Sequence, residues 1–153
     1  MTHDNHDNKG FSLVELIVVI AILGILAGAA SFSVSTVSAN RARKAAQAVN
    51  DMLSQCKVLT LSGAEAPTMT VTLEGGKYYA TLYLGSVQRE REMLGGTNLS
   101  IAYTQEGVTA NVSSSVHPTL SFHPSTGALS QTCTAITVGN YTVSMETFDK
   151  SFT

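Results

Sequence analysis

The chain is expected to adopt an α+β fold, a long N-terminal α-helix packed on an antiparallel β-sheet head. Three observations carry this expectation. Fifteen consecutive residues from Leu16 to Ala30 (LIVVIAILGILAGAA) lack any charge or polar side-chain group. No proline occurs between residues 11 and 66, and apolar positions in its second half recur at steps of three and four. After Pro67 the period changes to two, with Gly-rich turns between short runs of Thr, Val, Ile and Tyr.

The first half of the helix reads as a membrane segment. Counted from Phe11, it is twenty residues with one hydroxyl and one carboxylate near its start. At 1.5 Å per residue this gives roughly 30 Å, the thickness of a hydrocarbon core. Apolar residues lie on every face, which exceeds what a soluble domain of this size buries. Glu15 is the odd residue, because a carboxylate in a membrane helix costs on the order of 2.5–3.5 kcal/mol by insertion scales. A secretory signal peptide is the competing reading, with small residues at Ala27 to Ala30 for a peptidase. Its n-region is poor: Asp4 and Asp7 precede the run against Lys9 alone.

The second half is amphipathic. Val34, Val37, Ala45, Ala48, Met52, Cys56 and Leu59 fall on one face, broken by Arg41, while Arg43, Lys44, Gln47, Asp51, Gln55 and Lys57 mostly take the others. One helix from about Phe11 to Leu61 would be roughly 75 Å long. Ser62-Gly63 ends it, with Pro67 shortly beyond.

Strands are expected at 68–73, 78–84, 98–104, 108–112, 119–123, 134–138 and 141–147. Glu74-Gly75-Gly76-Lys77 and Gly139-Asn140 are hairpin signals, with a weaker one at Gln105-Glu106-Gly107. Such short turns imply antiparallel neighbours. The sheet must cover one face, and the helix stripe from Ala45 to Leu59 is its partner. Residues 85–97 form the longest irregular stretch, and the alternating charges of Gln88-Arg89-Glu90-Arg91-Glu92 read as a solvated loop or edge strand rather than a binding patch.

Composition sets the bounds. The chain has 153 residues and a formal charge of −2, so neither nucleic acid nor an acidic substrate is signalled by the overall balance. Only 13% of residues are charged and the second half is rich in Ser, Thr and Gly, which suits a β-rich exported domain. Cys56 and Cys133 are the two cysteines; a disulfide joining helix to sheet and two separately buried thiols both fit. His3 and His6 in the tandem His-Asp-Asn could suggest a metal site but read as part of a cleaved leader, while His117 and His123, each before a proline, lack the Cys or carboxylate cluster a metal site needs. Neither a metal nor a cofactor is called for. Arg41, Arg43 and Lys44 follow the apolar run while Lys9 alone precedes it, so the positive-inside tendency by itself would leave the C-terminal side in the cytoplasm.

Lys9-Gly10 followed by Phe11-Ser12-Leu13-Val14-Glu15 resembles the class III signal of type IV pilins and type II secretion pseudopilins. The resemblance implies cleavage between Gly10 and Phe11 by a prepilin peptidase, N-methylation of Phe11, and an assembly role for Glu15. It implies an exported head, and this specific motif overrules the charge asymmetry. The layout then becomes a cleaved leader at 1–10, the membrane and assembly half of the helix at 11–31, and a pilin-like head at 32–153. The head comprises an amphipathic helix at 32–62 and a β region at 67–147. Implied partners are other pilin or pseudopilin subunits, the prepilin peptidase/methyltransferase, an inner-membrane assembly platform and the lipid bilayer. Localisation would be single-pass in the inner membrane, then a surface or periplasmic filament.

Many major pilins carry a proline where this chain has Phe32, which leans the resemblance toward a minor pilin or pseudopilin. Leu120-Ser121-Phe122-His123-Pro124-Ser125-Thr126-Gly127 is similar to the hydrophobic-x-Phe-x-Pro-x-x-Gly element of H-type pseudopilins. The Pro and Gly there also suit any hairpin turn.

Two other function classes compete with a filament subunit. A filament-displayed binding module, for DNA uptake or adhesion, has Arg41, Arg43 and Lys44 as its one tight basic cluster, where anionic lipid headgroups compete as partner. An anchored enzyme lacks support: no G-x-S-x-G, H-E-x-x-H, P-loop or paired acids occur. The expected function is a structural filament subunit and not a catalyst.

Overall fold

The computed structural model describes residues 12–148, with the side chains of 29–36 and 147 outside that description. The order is α1 (Leu13–Leu61), β1 (Pro67–Glu74), β2 (Lys77–Leu84), β3 (Val87–Gly96), β4 (Ile101–Gln105), β5 (Val108–Asn111), β6 (Thr119–Ser121), β7 (Cys133–Val138) and β8 (Tyr141–Ser144). A 3₁₀ turn at Met145–Thr147 follows. This is the α+β fold expected. The chain divides into two compact units, Met1–Val37 and Ser38–Thr153.

In the second unit the strands form two four-stranded antiparallel sheets, in the orders β3-β2-β1-β6 and β5-β4-β7-β8. The sequence pattern alone leads one to expect a single sheet. The division lies where Leu99 and the 112–118 segment separate the hairpins, and nothing in the local pattern announces it. β1 alternates cleanly, with Pro67, Met69 and Val71 buried and Thr68, Thr70 and Thr72 on the other face.

The helical part of the core is a stripe of Ala42, Ala45, Ala46, Val49, Met52, Leu53, Cys56 and the buried Thr60. It joins Met69, Val71, Ala80, Leu82, Ile101, Leu120, Phe122, Ile136, Val138 and Val143 in one apolar cluster. Small residues at the start of the stripe let backbone approach closely. At Gly139, in the β7–β8 turn, an added Cβ would lie 3.0 Å from the Cβ of Ala42. Thr60 satisfies its hydroxyl by donating to the Cys56 carbonyl at 2.9 Å.

The helix ends as its sequence indicates. Ala64 N donates to Leu59 O at 3.0 Å and Gly63 N to Thr60 O at 3.2 Å, a Schellman pair with Gly63 in the left-handed region.

Three expectations need correction. Residues 87–96 are a full strand, with Gln88 to Glu92 exposed on the sheet's edge; of the alternatives read from the charges, edge strand is the one found. Strand 141–147 stops at Ser144, where the chain turns so that Met145 and Phe148 become buried. The helical stripe is shifted from the one expected: Val37 is exposed, whereas Ala42, Ala46, Val49 and Leu53 are in the core.

Candidate functional site

Ser12 defines the start of α1. Glu15 N donates to Ser12 Oγ at 3.2 Å, and Leu16 N to Ser12 O at 3.2 Å. Ser12-Leu13-Val14-Glu15 is thus a Ser-x-x-Glu capping pattern, in which a hydroxyl takes one of the unpaired amides of the first turn. Glu15 falls in that turn, where the partial positive charge of the helix end favours a carboxylate. The sequence reading assigned Ser12 no role, although the capping spacing was there to find it. Gly10 and Phe11, the expected cleavage and methylation positions, lie outside the described residues.

Beyond the cap, from Leu16 to Gly28, every face of α1 is apolar and exposed. Leu13 is 75% exposed, Ile17 51%, Leu23 59% and Ile25 73%, positions that point in different directions around the axis. A Cβ added at Gly24 or Gly28 would meet nothing within 4 Å, so the backbone there is open to close approach. The side chains described in this part of α1 run from Leu13 to Gly28. Among the described residues no helix is long and apolar enough to cross a membrane.

In the second unit the expected site residues divide differently. Cys56 and Cys133 are free, buried thiols, so the pairing considered for them is not made in this structure. Burial pushes the Cys56 thiol up to about 12. The Cys133 thiol is also raised by burial, partly offset by a hydrogen bond from the Ala135 backbone. Both are poor nucleophiles in the folded state.

His117 and His123 are exposed, and Ser125 Oγ lies 3.0 Å from His123 Nδ1 within one turn. Among the described residues no group of His, Cys, Asp or Glu is placed to hold a metal. An open cavity of about 520 Å³ is lined by Ser54, Gln55, Val58, Leu59, Arg89 and Glu90, with Glu90 its one carboxylate.

The Leu120-to-Gly127 element is a docking device. Leu120 and Phe122 are buried, and His123 N donates to Ala128 O at 2.7 Å and Gly127 N to His123 O at 2.8 Å, closing the turn. An added Cβ at Gly127 would lie 3.2 Å from Leu61 Cδ2 and 3.3 Å from Lys57 Cε. Lys57 Nζ donates to the Phe148 carbonyl at 2.6 Å and lies 5.9 Å from the Phe122 ring centre; the Phe122 and Phe148 rings are 6.4 Å apart. Gly127 and Phe122 of this element, with Lys57, therefore tie the end of α1 to Phe148 behind the 3₁₀ turn. Lys57, which organises the cluster, was read from sequence only as an outward polar residue. On β3, Arg91 pairs with Glu74 at 2.6 Å and stacks over Tyr79 at 4.0 Å.

Residues 5–31 match the family described as the prokaryotic N-terminal methylation motif. No curated protein and no solved structure matches the chain. A Ser-capped helix start, an apolar surface on all sides of the helix and the matched motif coincide on the same residues. The chain carries the class III signal, consistent with the type IV pilin and pseudopilin family.

Proposed function

We propose that this protein is a minor pilin or pseudopilin, a structural subunit of a type IV pilus-like or type II secretion filament. It would be assembled through α1 after cleavage behind Gly10 and methylation of Phe11. The observation that carries this reading is the apolar surface around the whole circumference of residues 13–28. Such a surface is covered by lipid before assembly and by neighbouring helices afterwards. Residues 11–31 are the membrane and assembly segment, and residues 32–153 the displayed head. The subunit starts in the inner membrane with its head exported. Its partners are other subunits, the prepilin peptidase/methyltransferase and a membrane assembly platform.

Glu15 supplies the directional contact. Cleavage leaves an α-amino group on Phe11, and a neighbouring subunit's Glu15 is its natural counter-ion among packed helices. A pair in such a surrounding is far stronger than in water, while one charge left alone is costly. In the lone subunit, Glu15 in the first turn can reach the interface instead.

The test is Glu15→Leu expressed with the rest of the machinery. The variant is expected to be cleaved, to stay in the membrane fraction with a folded head, and to be absent from sheared filaments. Normal recovery in filaments would refute the pairing. Mass spectrometry of the native protein should show a chain beginning at Phe11 and heavier by one methyl; a start near Ala30 would refute the processing reading.

A further inference from the structure

We propose that Arg41, Arg43 and Lys44 form a cationic collar on α1 that binds anionic phospholipid headgroups, holding the unassembled subunit at the membrane surface. The proposal rests on the reading of residues 11–31 as the membrane segment. Three observations lead to it. All three side chains are exposed, and among the described residues none makes a hydrogen bond or ion pair; the ion pair found there is Arg91 with Glu74. No acidic residue occurs between Glu15 and Asp51, so the local charge is not balanced along the chain. Asp51 lies on Lys44's side of the helix but seven residues on, about 10 Å of rise away.

The third observation is the direction in which the cations point. The buried Ala42, Ala45, Ala46 and Val49 fix one side of the helix toward the core. At about 100° per residue, Arg41 and Arg43 flank that stripe on opposite sides and Lys44 points away from it. Cations that radiate around an axis suit a charged plane pierced by the helix. A linear polyanion lying along one face would engage fewer of them. Arg41 follows Ala30 by eleven residues, inside the window of about 15–20 residues in which flanking charges bear on a span. The chemistry recognised is therefore a phosphodiester headgroup at a lipid surface.

The experiment uses the full chain, reconstituted in phosphatidylcholine vesicles with or without phosphatidylglycerol. Lipids that remain bound after mild detergent extraction are counted by native mass spectrometry. Each cation at a surface is worth roughly a fivefold preference, so three set a ceiling of about a hundredfold. Wild type should retain phosphatidylglycerol over phosphatidylcholine by about tenfold or more, with the preference falling as salt rises. The Arg41→Gln/Arg43→Gln/Lys44→Gln variant should bring the ratio near parity while remaining inserted in both vesicle types. Arg41→Lys/Arg43→Lys, which keeps the charge, should retain the preference.

Equal lipid ratios for wild type and the Gln variant would overturn the collar while leaving the membrane segment intact. Release of wild type from pure phosphatidylcholine vesicles by alkaline carbonate would overturn the membrane reading itself, and the collar with it. Retention of a short duplex DNA through these side chains, without a lipid preference, would overturn the proposal in favour of a nucleic acid.

Discussion

Gly139→Ala tests how α1 is fitted to the sheets. Gly139 has φ +59° and sits in the β7–β8 turn, where its amide donates to the Ser100 carbonyl at 2.8 Å. That bond keeps the turn from swinging away. An alanine therefore meets two penalties. Left-handed backbone with a Cβ costs about 1–2 kcal/mol, and overpacking against the Ala42 Cβ, 3.0 Å away, adds about 1–3 kcal/mol. The total, about 2–5 kcal/mol, corresponds to a fall of about 8–20 °C in Tm for a domain of this size.

Gly107→Ala is the control, since its φ is +78° and nothing lies within 4 Å of the new Cβ; it carries the backbone cost alone. Gly127→Ala should fall between them, because the far ends of Leu61 and Lys57 can move where a helix Cβ cannot. Unfolding of the full chain in detergent, followed by near-ultraviolet circular dichroism of the tyrosines, measures all three. Adding Ala42→Gly to Gly139→Ala should recover part of the loss beyond additivity. Equal effects of Gly139→Ala and Gly107→Ala, or strict additivity in the cycle, would refute the close approach.

Thiol titration without reductant should find two free thiols after denaturation and slow alkylation of the folded chain at pH 8; a count of zero would show a disulfide instead. Because the Cys56 thiol is raised to about 12 in the folded state, the unfolded chain loses that proton first. Stability should therefore fall as pH rises from about 9 toward 12, and Cys56→Ala should flatten that part of the profile. The hydrogen bond from Arg91 holds the Glu74 carboxyl below its ordinary value of 4.5. Its contribution is present above that pH and lost as pH falls through the lower folded value, so Glu74→Gln should be slightly less stable than wild type at pH 7, with the difference vanishing in acid. Ser12→Ala removes the helix cap at a cost of about 0.5–2 kcal/mol, and amide exchange at Leu13 to Leu16 should accelerate while the head's rates stay unchanged.

What the sequence disclosed depended on how local the cause was. The stop at Ser62-Gly63, the β1–β2 hairpin at Gly75-Gly76 and the helical period of residues 45–56 each follow from a few neighbouring residues. β3 escaped because Gln88 to Glu92 is exposed on both faces, so the alternation that marks a half-buried strand is absent. The inward stripe was displaced because Ala42 and Ala46 are ambiguous by type; the close approach of Gly139 to Ala42 makes that side the inner one. Lys57 was unreadable for the same reason, since its partners Phe122 and Phe148 lie far along the chain. The N-terminal motif was legible because its information is contiguous, and Ser12's cap adds a physical reason for one of its letters.

The two sheets have four edges, and they are guarded differently. β5, β6 and β8 have four, three and four residues, too short to template another strand. β3 has ten residues and would be a ready site for pairing between copies, yet it bears Arg89, Glu90, Arg91 and Glu92 in succession. For a subunit held in a polymer this matters more than for one diluted in solution, because tethering raises the effective concentration of neighbouring heads to the millimolar range. In the proposed filament an unguarded β3 would cross-link neighbours sheet to sheet and turn a thin fibre into a bundle. On that reading the charges on the strand would hold lateral growth in check and leave growth along the axis to α1.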